Sequence, residues 1–169
     1  MININKPIKI LYSQTALERM REVLLKYKSN TTFPDRIFIS RTKGNVRHYN
    51  EDEVFQVLKR YNFKKVIPES LSFEDQMSLF NGAQYIVSGS GAALSNLLFS
   101  NSCCTVVCFG LGSSDNHCDL PIFNTIANIN KTKFIFFPRK KCVKGNIHVN
   151  YEIDCAELQR KMDQIVFKM

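Results

Sequence analysis

Tyr85-Ile-Val-Ser-Gly-Ser-Gly-Ala-Ala-Leu-Ser-Asn-Leu-Leu-Phe99 reads as an apolar strand, a glycine turn at Gly89 and Gly91, and a small-residue helix from about Ala92 to Ser100. A strand that passes through glycines straight into a helix leaves the first helical N–H groups unpaired and aimed at one spot. The helix dipole adds partial positive charge there, so the spot suits a phosphate or another oxyanion. Gly89 or Gly91 is expected to have a backbone geometry poorly suited to a Cβ, and the glycines let a ligand approach the main chain. Glycine turns many strands into helices with no ligand involved, so the loop alone leaves both readings open.

Two common phosphate motifs are excluded. A P-loop needs a Gly-Lys-Ser/Thr ending, and none is present. The dinucleotide fingerprint needs a third glycine where Leu94 stands and an acidic residue at the end of the next strand. That strand, Thr105-Val-Val-Cys-Phe-Gly110, has no carboxylate, and the first acid beyond it is Asp115. NAD binding is not expected.

Outward from this unit, strands and helices alternate. Lys9 to Tyr12 is a short strand or lead-in. Thr15 to Tyr27 is helical, with Leu17, Met20, Leu24 and Tyr27 on one apolar face. Ser29-Asn-Thr-Thr-Phe-Pro34 is a polar break and the internal linker candidate. It divides residues 1–30, read as the tail of a preceding domain or a linker helix, from a domain at residues 31–169. Arg36 to Ser40 and Lys65 to Pro68 are strands. Between them Asn50 is expected to cap a helix in a capping box with Glu53, its core stripe being Val54, Leu58 and Tyr61. Ser72 opens a helix with Phe73, Met77 and Phe80 on one face. After the strand at Thr105–Phe109 come a helix at Leu120–Ile129, a strand at Lys133–Phe137, and a last helix capped by Asp154 with Leu158, Met162 and Ile165 in its stripe. This alternation implies an α/β fold, a three-layer α/β/α domain with a mainly parallel sheet. Ile37, Ile39, Val66, Ile86, Val87, Val106 and Val107 are its expected buried strand positions.

At 169 residues the chain has the length of one domain with a real core. No run approaches the roughly 20 apolar residues of a membrane span. The first residues lack a signal-peptide core, and a cytoplasmic location is expected. The net charge of +8 is concentrated in Arg36–Lys65 and Arg139–Lys144, which favours acidic partners or an anionic membrane surface over an even solvated coat. Nucleic acid is not expected, because no aromatic RNP motif, zinc finger or arginine-rich tail accompanies the charge. The cysteines show no CxxC pairing and read as reduced thiols. A zinc site from Cys103, Cys108, His117 and Cys118 would match no common ligand spacing, so no metal is expected.

In open parallel sheets, ligands sit outside the carboxyl ends of the strands. Two loops belong there: Ser40-Arg41-Thr-Lys43-Gly-Asn-Val-Arg47, with three cations, and Ser88, Gly89, Ser90, Gly91 and Ala92, with aimed N–H groups. Together they describe a diphosphate site better than either does alone. Exposed loop charge is the simpler reading of Arg41, Lys43 and Arg47. The catalytic base is not identified. His117 and Asp115, with Asp119, form the one cluster resembling acid–base chemistry, although such residues in a polar loop are more often solvated.

The segments Arg36-Ile-Phe-Ile-Ser-Arg41, Arg47 with Asn50-Glu-Asp-Glu53, Leu71-Ser-Phe-Glu-Asp-Gln76 with Leu79-Phe80, and Gly89 to Phe99 resemble glycosyltransferase family 61 in order and spacing. That family includes capsular polysaccharide biosynthesis proteins and eukaryotic xylosyl- and N-acetylglucosaminyltransferases. The resemblance implies a GT-B-type enzyme with two Rossmann-like halves, inverting and metal-independent, of which this chain matches the half that binds the nucleotide-sugar donor. It implies no cofactor, a glycan or glycolipid acceptor, and an N-terminal half outside this chain. Arg41 and Arg47 fall on the family's basic positions, and Gly89, Ser90, Gly91 and Ala92 on its glycine loop. Many members have His where Ser90 stands and Glu where Cys108 stands. A non-enzymatic nucleotide- or anion-binding module of the same fold is the alternative.

Overall fold

The apolar runs that punctuate the chain become strands, and the amphipathic stretches between them become helices. The computed structural model describes residues 13–40, 48–110, 119–140 and 150–167. The strands are β1 (Arg36–Ile39), β2 (Lys64–Val66), β3 (Tyr85–Gly89), β4 (Thr105–Gly110) and β5 (Lys133–Pro138). They form one all-parallel sheet in the order β2-β1-β3-β4-β5. The α-helices are α1 (Gln14–Leu24), α2 (Glu51–Lys59), α3 (Phe73–Gly82), α4 (Asp119–Ile129) and α5 (Cys155–Val166). Strand alternation splits the core in two. Ile37, Ile39, Ile86, Val106 and Cys108 pack under α3, α4 and the 3-10 helix Ala92–Phe99. Phe38, Val87, Val107 and Phe109 pack under α2 and α5. Both faces are covered, as a parallel sheet requires, and the fold is a Rossmann-like three-layer α/β/α arrangement.

Of the expected buried strand positions, six are buried and Val66 is half-buried, because β2 is an edge strand. The α1 stripe is corrected more substantially. Leu17 and Leu24 rest on the core, but Met20 is 44% and Tyr27 67% exposed. The helix tightens into a 3-10 turn at Leu25–Tyr27, which swings Tyr27 off the line of Leu17 and Leu24. Phe73 is likewise exposed and meets only the edge of Phe99. Ser29 donates from its hydroxyl to Asp75 at 2.6 Å and accepts a main-chain N–H from Thr31, tying the polar break to α3. The strand expected at Lys9–Tyr12 lies outside the described residues.

Among the described α-helix N-caps, Ser13, Ser72 and Asp154 make side-chain cap bonds and Asn50 does not. Ser72 accepts the Asp75 N–H at 3.1 Å, and Asp154 accepts the N–H groups of Ala156 and Glu157. Replacing Ser72 by Ala should lower stability by about 1 kcal/mol in urea unfolding, the usual worth of such a cap. The exception is Asn50, whose side chain makes no cap bond to α2. Its Nδ2 donates to the Ile153 carbonyl at 3.0 Å and to Glu53 at 2.9 Å, and its Oδ1 accepts the Ile153 N–H at 2.9 Å. The side chain therefore pairs with a neighbouring strap, and long-range main-chain partners win over the local helix end.

Asparagines also close the other ends. Asn130 donates to the carbonyls of Leu97 and Leu98, and Asn81 to that of Phe99, satisfying the last acceptors of the 3-10 helix.

Candidate functional site

The strand order places a switch point at β1/β3. From β1 the chain crosses through α2 to β2 on one side, then returns through α3 to β3 on the other side of β1. The crossovers at these two strands lie on opposite faces, so a crevice opens at their carboxyl ends. Ile39 is in register with Ser88, which brings Ser40 beside Gly89. The two loops singled out in the sequence thus leave adjacent strand ends. Arg41, Lys43, Arg47, Asp115 and His117 lie outside the described residues.

On the β3 side, Ser90 donates its N–H to the Phe109 carbonyl at 3.0 Å and extends the ladder by one residue. Gly91 is then the N-cap of the 3-10 helix, with φ 180° and ψ 171° and no side-chain cap bond. The N–H groups of Gly91, Ala92 and Ala93 find no acceptor among the described residues. The helix starts at Ala92, as expected, but is 3-10 over all eight residues rather than α. In this form Leu94 and Leu97 stand in line against the core while Ala92 and Ser95 are exposed.

The glycine constraint falls on Gly89, and its cause is space rather than torsion. A Cβ on Gly89 would stand 2.8 Å from Tyr151 Oη. Gly91 is simply extended. Ser88 is 3% exposed and donates its hydroxyl to the Gly89 carbonyl, so it shapes the turn from beneath.

Tyr151 belongs to a strap, residues 150–153, that crosses the carboxyl edge. Its N–H donates to the His48 carbonyl at 3.0 Å, and Glu152 exchanges two main-chain bonds with Lys140. Tyr49 stacks on Tyr151 at 5.0 Å and 9°, and meets Phe109 edge-on. The Arg139 guanidinium lies over the Tyr151 ring, 4.4 Å from its centre. Tyr49, Tyr151 and Arg139 were not singled out in the sequence. Arg139 directly follows the apolar run of β5, so the strand-end rule could have found it. The two tyrosines are joined only by long-range pairing and carry no local signal.

On the β1 side, Ser40 donates to Glu51 Oε1 at 2.5 Å, and Lys65 bonds Glu51 at 3.1 Å and Asp52 at 3.3 Å. Burial pulls Lys65 down, but the bonds and charges of Glu51 and Asp52 outweigh it and hold the ammonium above its usual range. This cluster clamps the two ends of the basic loop together. Cys108 is fully buried, and burial pushes its thiol up to about 12 against the opposing charge of Arg139. Cys103 is exposed in the turn before β4, whereas Cys108 is buried within the strand.

The Glycosyltransferase 61 family profile matches residues 2–107, which include β1, β2, β3, the glycine turn and the first half of β4. The chain belongs to glycosyltransferase family 61. No curated protein matches it. Among solved structures it is similar to a glucose dehydrogenase mutant from Haloferax mediterranei, at 13% identity over 89% of this chain and 45% of that chain, with a TM-score of 0.31. The family 61 chain thus spans less than half the length of that enzyme. Within its matched region the described part of the site offers main-chain donors at Gly91–Ala93, a means of holding an anion, and family membership supports a glycosyltransferase role. Among the described residues no helix is long and apolar enough to cross a membrane.

Proposed function

We propose that this domain binds the nucleotide-diphosphate sugar donor of a GT-B-type glycosyltransferase for polysaccharide or glycan synthesis, inverting and metal-independent. The observation that carries the reading is the β1/β3 switch point, where the Gly91–Ala93 amides are unspent and the Ser40 end of the basic loop lies alongside. Arg41, Lys43 and Arg47 are the cations assigned to the diphosphate, with Gly89, Ser90, Gly91 and Ala92 forming the turn beneath it. The glycan or glycolipid acceptor and the catalytic base belong to a second, N-terminal half. His117 and Asp115 are the first residues to mutate should the isolated chain transfer sugar.

Calorimetry with UDP, GDP and CDP tests this. The chain should bind one of them weakly, and a chelator should leave that binding unchanged. Arg41→Ala should remove a charge-assisted interaction, about 1.5–3 kcal/mol or roughly tenfold or more in affinity. No binding by wild type at millimolar ligand would overturn the reading. Equal binding by both proteins would remove Arg41 from the site.

A second reading, a nucleotide-binding module without transferase activity, is favoured by Cys108, a fully buried thiol with no carboxylate at that position to accept a ribose hydroxyl. Sugar transfer by the chain combined with its N-terminal half would exclude it.

A further inference from the structure

Arg139 is the first residue after β5, whose last residue Pro138 is in register with Gly110 of β4. It therefore emerges on the same carboxyl edge as the glycine turn. Two groups pack on the Tyr151 ring: Tyr49, stacked at 5.0 Å, and the Arg139 guanidinium, 4.4 Å from its centre. The hydroxyl of that same ring sits against Gly89. The guanidinium is thus fixed one tyrosine ring away from the turn, leaning back from β5 toward β4.

Its donors are unspent. Among the described residues Arg139 forms no ion pair, and its buried Nε has no acceptor. Asp154, just beyond the strap, pairs with Lys140 and caps α5. An arginine kept for structure alone would spend its fork on carbonyls or a carboxylate. A flat fork held on an aromatic face with its N–H groups unused is suited to a phosphate, whose oxygens it matches two at a time.

We propose that Arg139 is a ligand-contacting residue of this site, supplying a fixed guanidinium to the diphosphate of the donor from the β5 side. The proposal rests on the donor-binding reading and adds to it a cation outside both loops named in the sequence. Tyr49 and Tyr151 are positioning residues that hold Arg139 in place.

Calorimetry with UDP, GDP, CDP, inorganic pyrophosphate and uridine on wild type, Arg139→Gln and Arg139→Lys tests it. Arg139→Gln should weaken the bound nucleoside diphosphate and pyrophosphate roughly tenfold or more while leaving uridine binding unchanged. Arg139→Lys, which keeps a cation without the fork, should recover part of that loss. Thermal unfolding of each variant accompanies the titrations, and if Arg139→Gln is unstable the Lys variant alone must still fall short of wild type. Diphosphate binding by wild type with both variants equal to it would overturn this proposal and leave the donor-binding reading standing. No diphosphate binding by wild type would overturn both.

Discussion

Replacing Gly89 by Val is expected to lower stability by about 3 kcal/mol and to abolish nucleoside diphosphate binding, the former at the upper end of overpacking costs. Even a methyl at this position would press on Tyr151 Oη at 2.8 Å. A tyrosine hydroxyl at a mobile surface could swing away, but this ring is held by the Tyr49 stack and the Arg139 guanidinium. Its main chain is bonded to His48, and its neighbour Glu152 to Lys140. Relief therefore requires the strap to lift, which would unstack the aromatic pair and release Arg139. Gly89→Ala should do the same less severely, and Tyr151→Phe should relieve Gly89→Ala by removing the clashing oxygen. Urea unfolding and nucleotide calorimetry on the three variants check the order. If Gly89→Val were as stable as wild type, the close approach of Tyr151 would not be a constraint on the fold.

The fold was legible because its signals are local. Strands β1, β3, β4 and β5 announced themselves as apolar runs. The edge strand β2 is Lys64–Val66 rather than the expected Lys65–Pro68, and Pro68 opens a 3-10 helix instead. Ser72 and Asp154 cap their helices as their side chains dictate. The site was legible only in outline. The glycine turn and the basic loop follow strands β3 and β1, and their adjacency needed the strand order, which periodicity does not contain. The 3-10 form of Ala92–Phe99 was hidden because its leucines fit a helical stripe of either period until packing chooses. Tyr49 and Tyr151 come together across about a hundred residues with no local signal, whereas the position of Arg139 at the end of β5 was legible and its tyrosine partners were not. Asn50 shows the same limit from the other side. Its local context, three residues before Glu53, signals a capping box, and a strap distant in sequence claims its side chain instead.

That claim leads to the second large effect. Asn50→Leu is expected to destabilise the domain by roughly 2–5 kcal/mol, because each buried main-chain group it abandons costs about 1–3 kcal/mol. The Ile153 N–H and carbonyl both pair with the Asn50 amide, and Ile153 itself is 1% exposed beneath the strap, away from water that could replace the lost partners. Asn50→Asp separates the two bonds. A carboxylate can still accept the Ile153 N–H but cannot donate to the carbonyl, and it would stand beside Glu53. Its cost should therefore exceed that of Ser72→Ala yet fall below that of Asn50→Leu. Thermal unfolding reads the series directly, since one kcal/mol shifts the midpoint by about 2–4 °C in a domain of this size. The strap carries Tyr151, so the same variants should also weaken diphosphate binding in the order of their stability losses. Asn50→Leu unfolding at the wild-type midpoint would show that water replaces the Asn50 amide at no cost, and the strap would then owe its position to its main-chain bonds with His48 and Lys140 and to the packing of Tyr49 and Arg139.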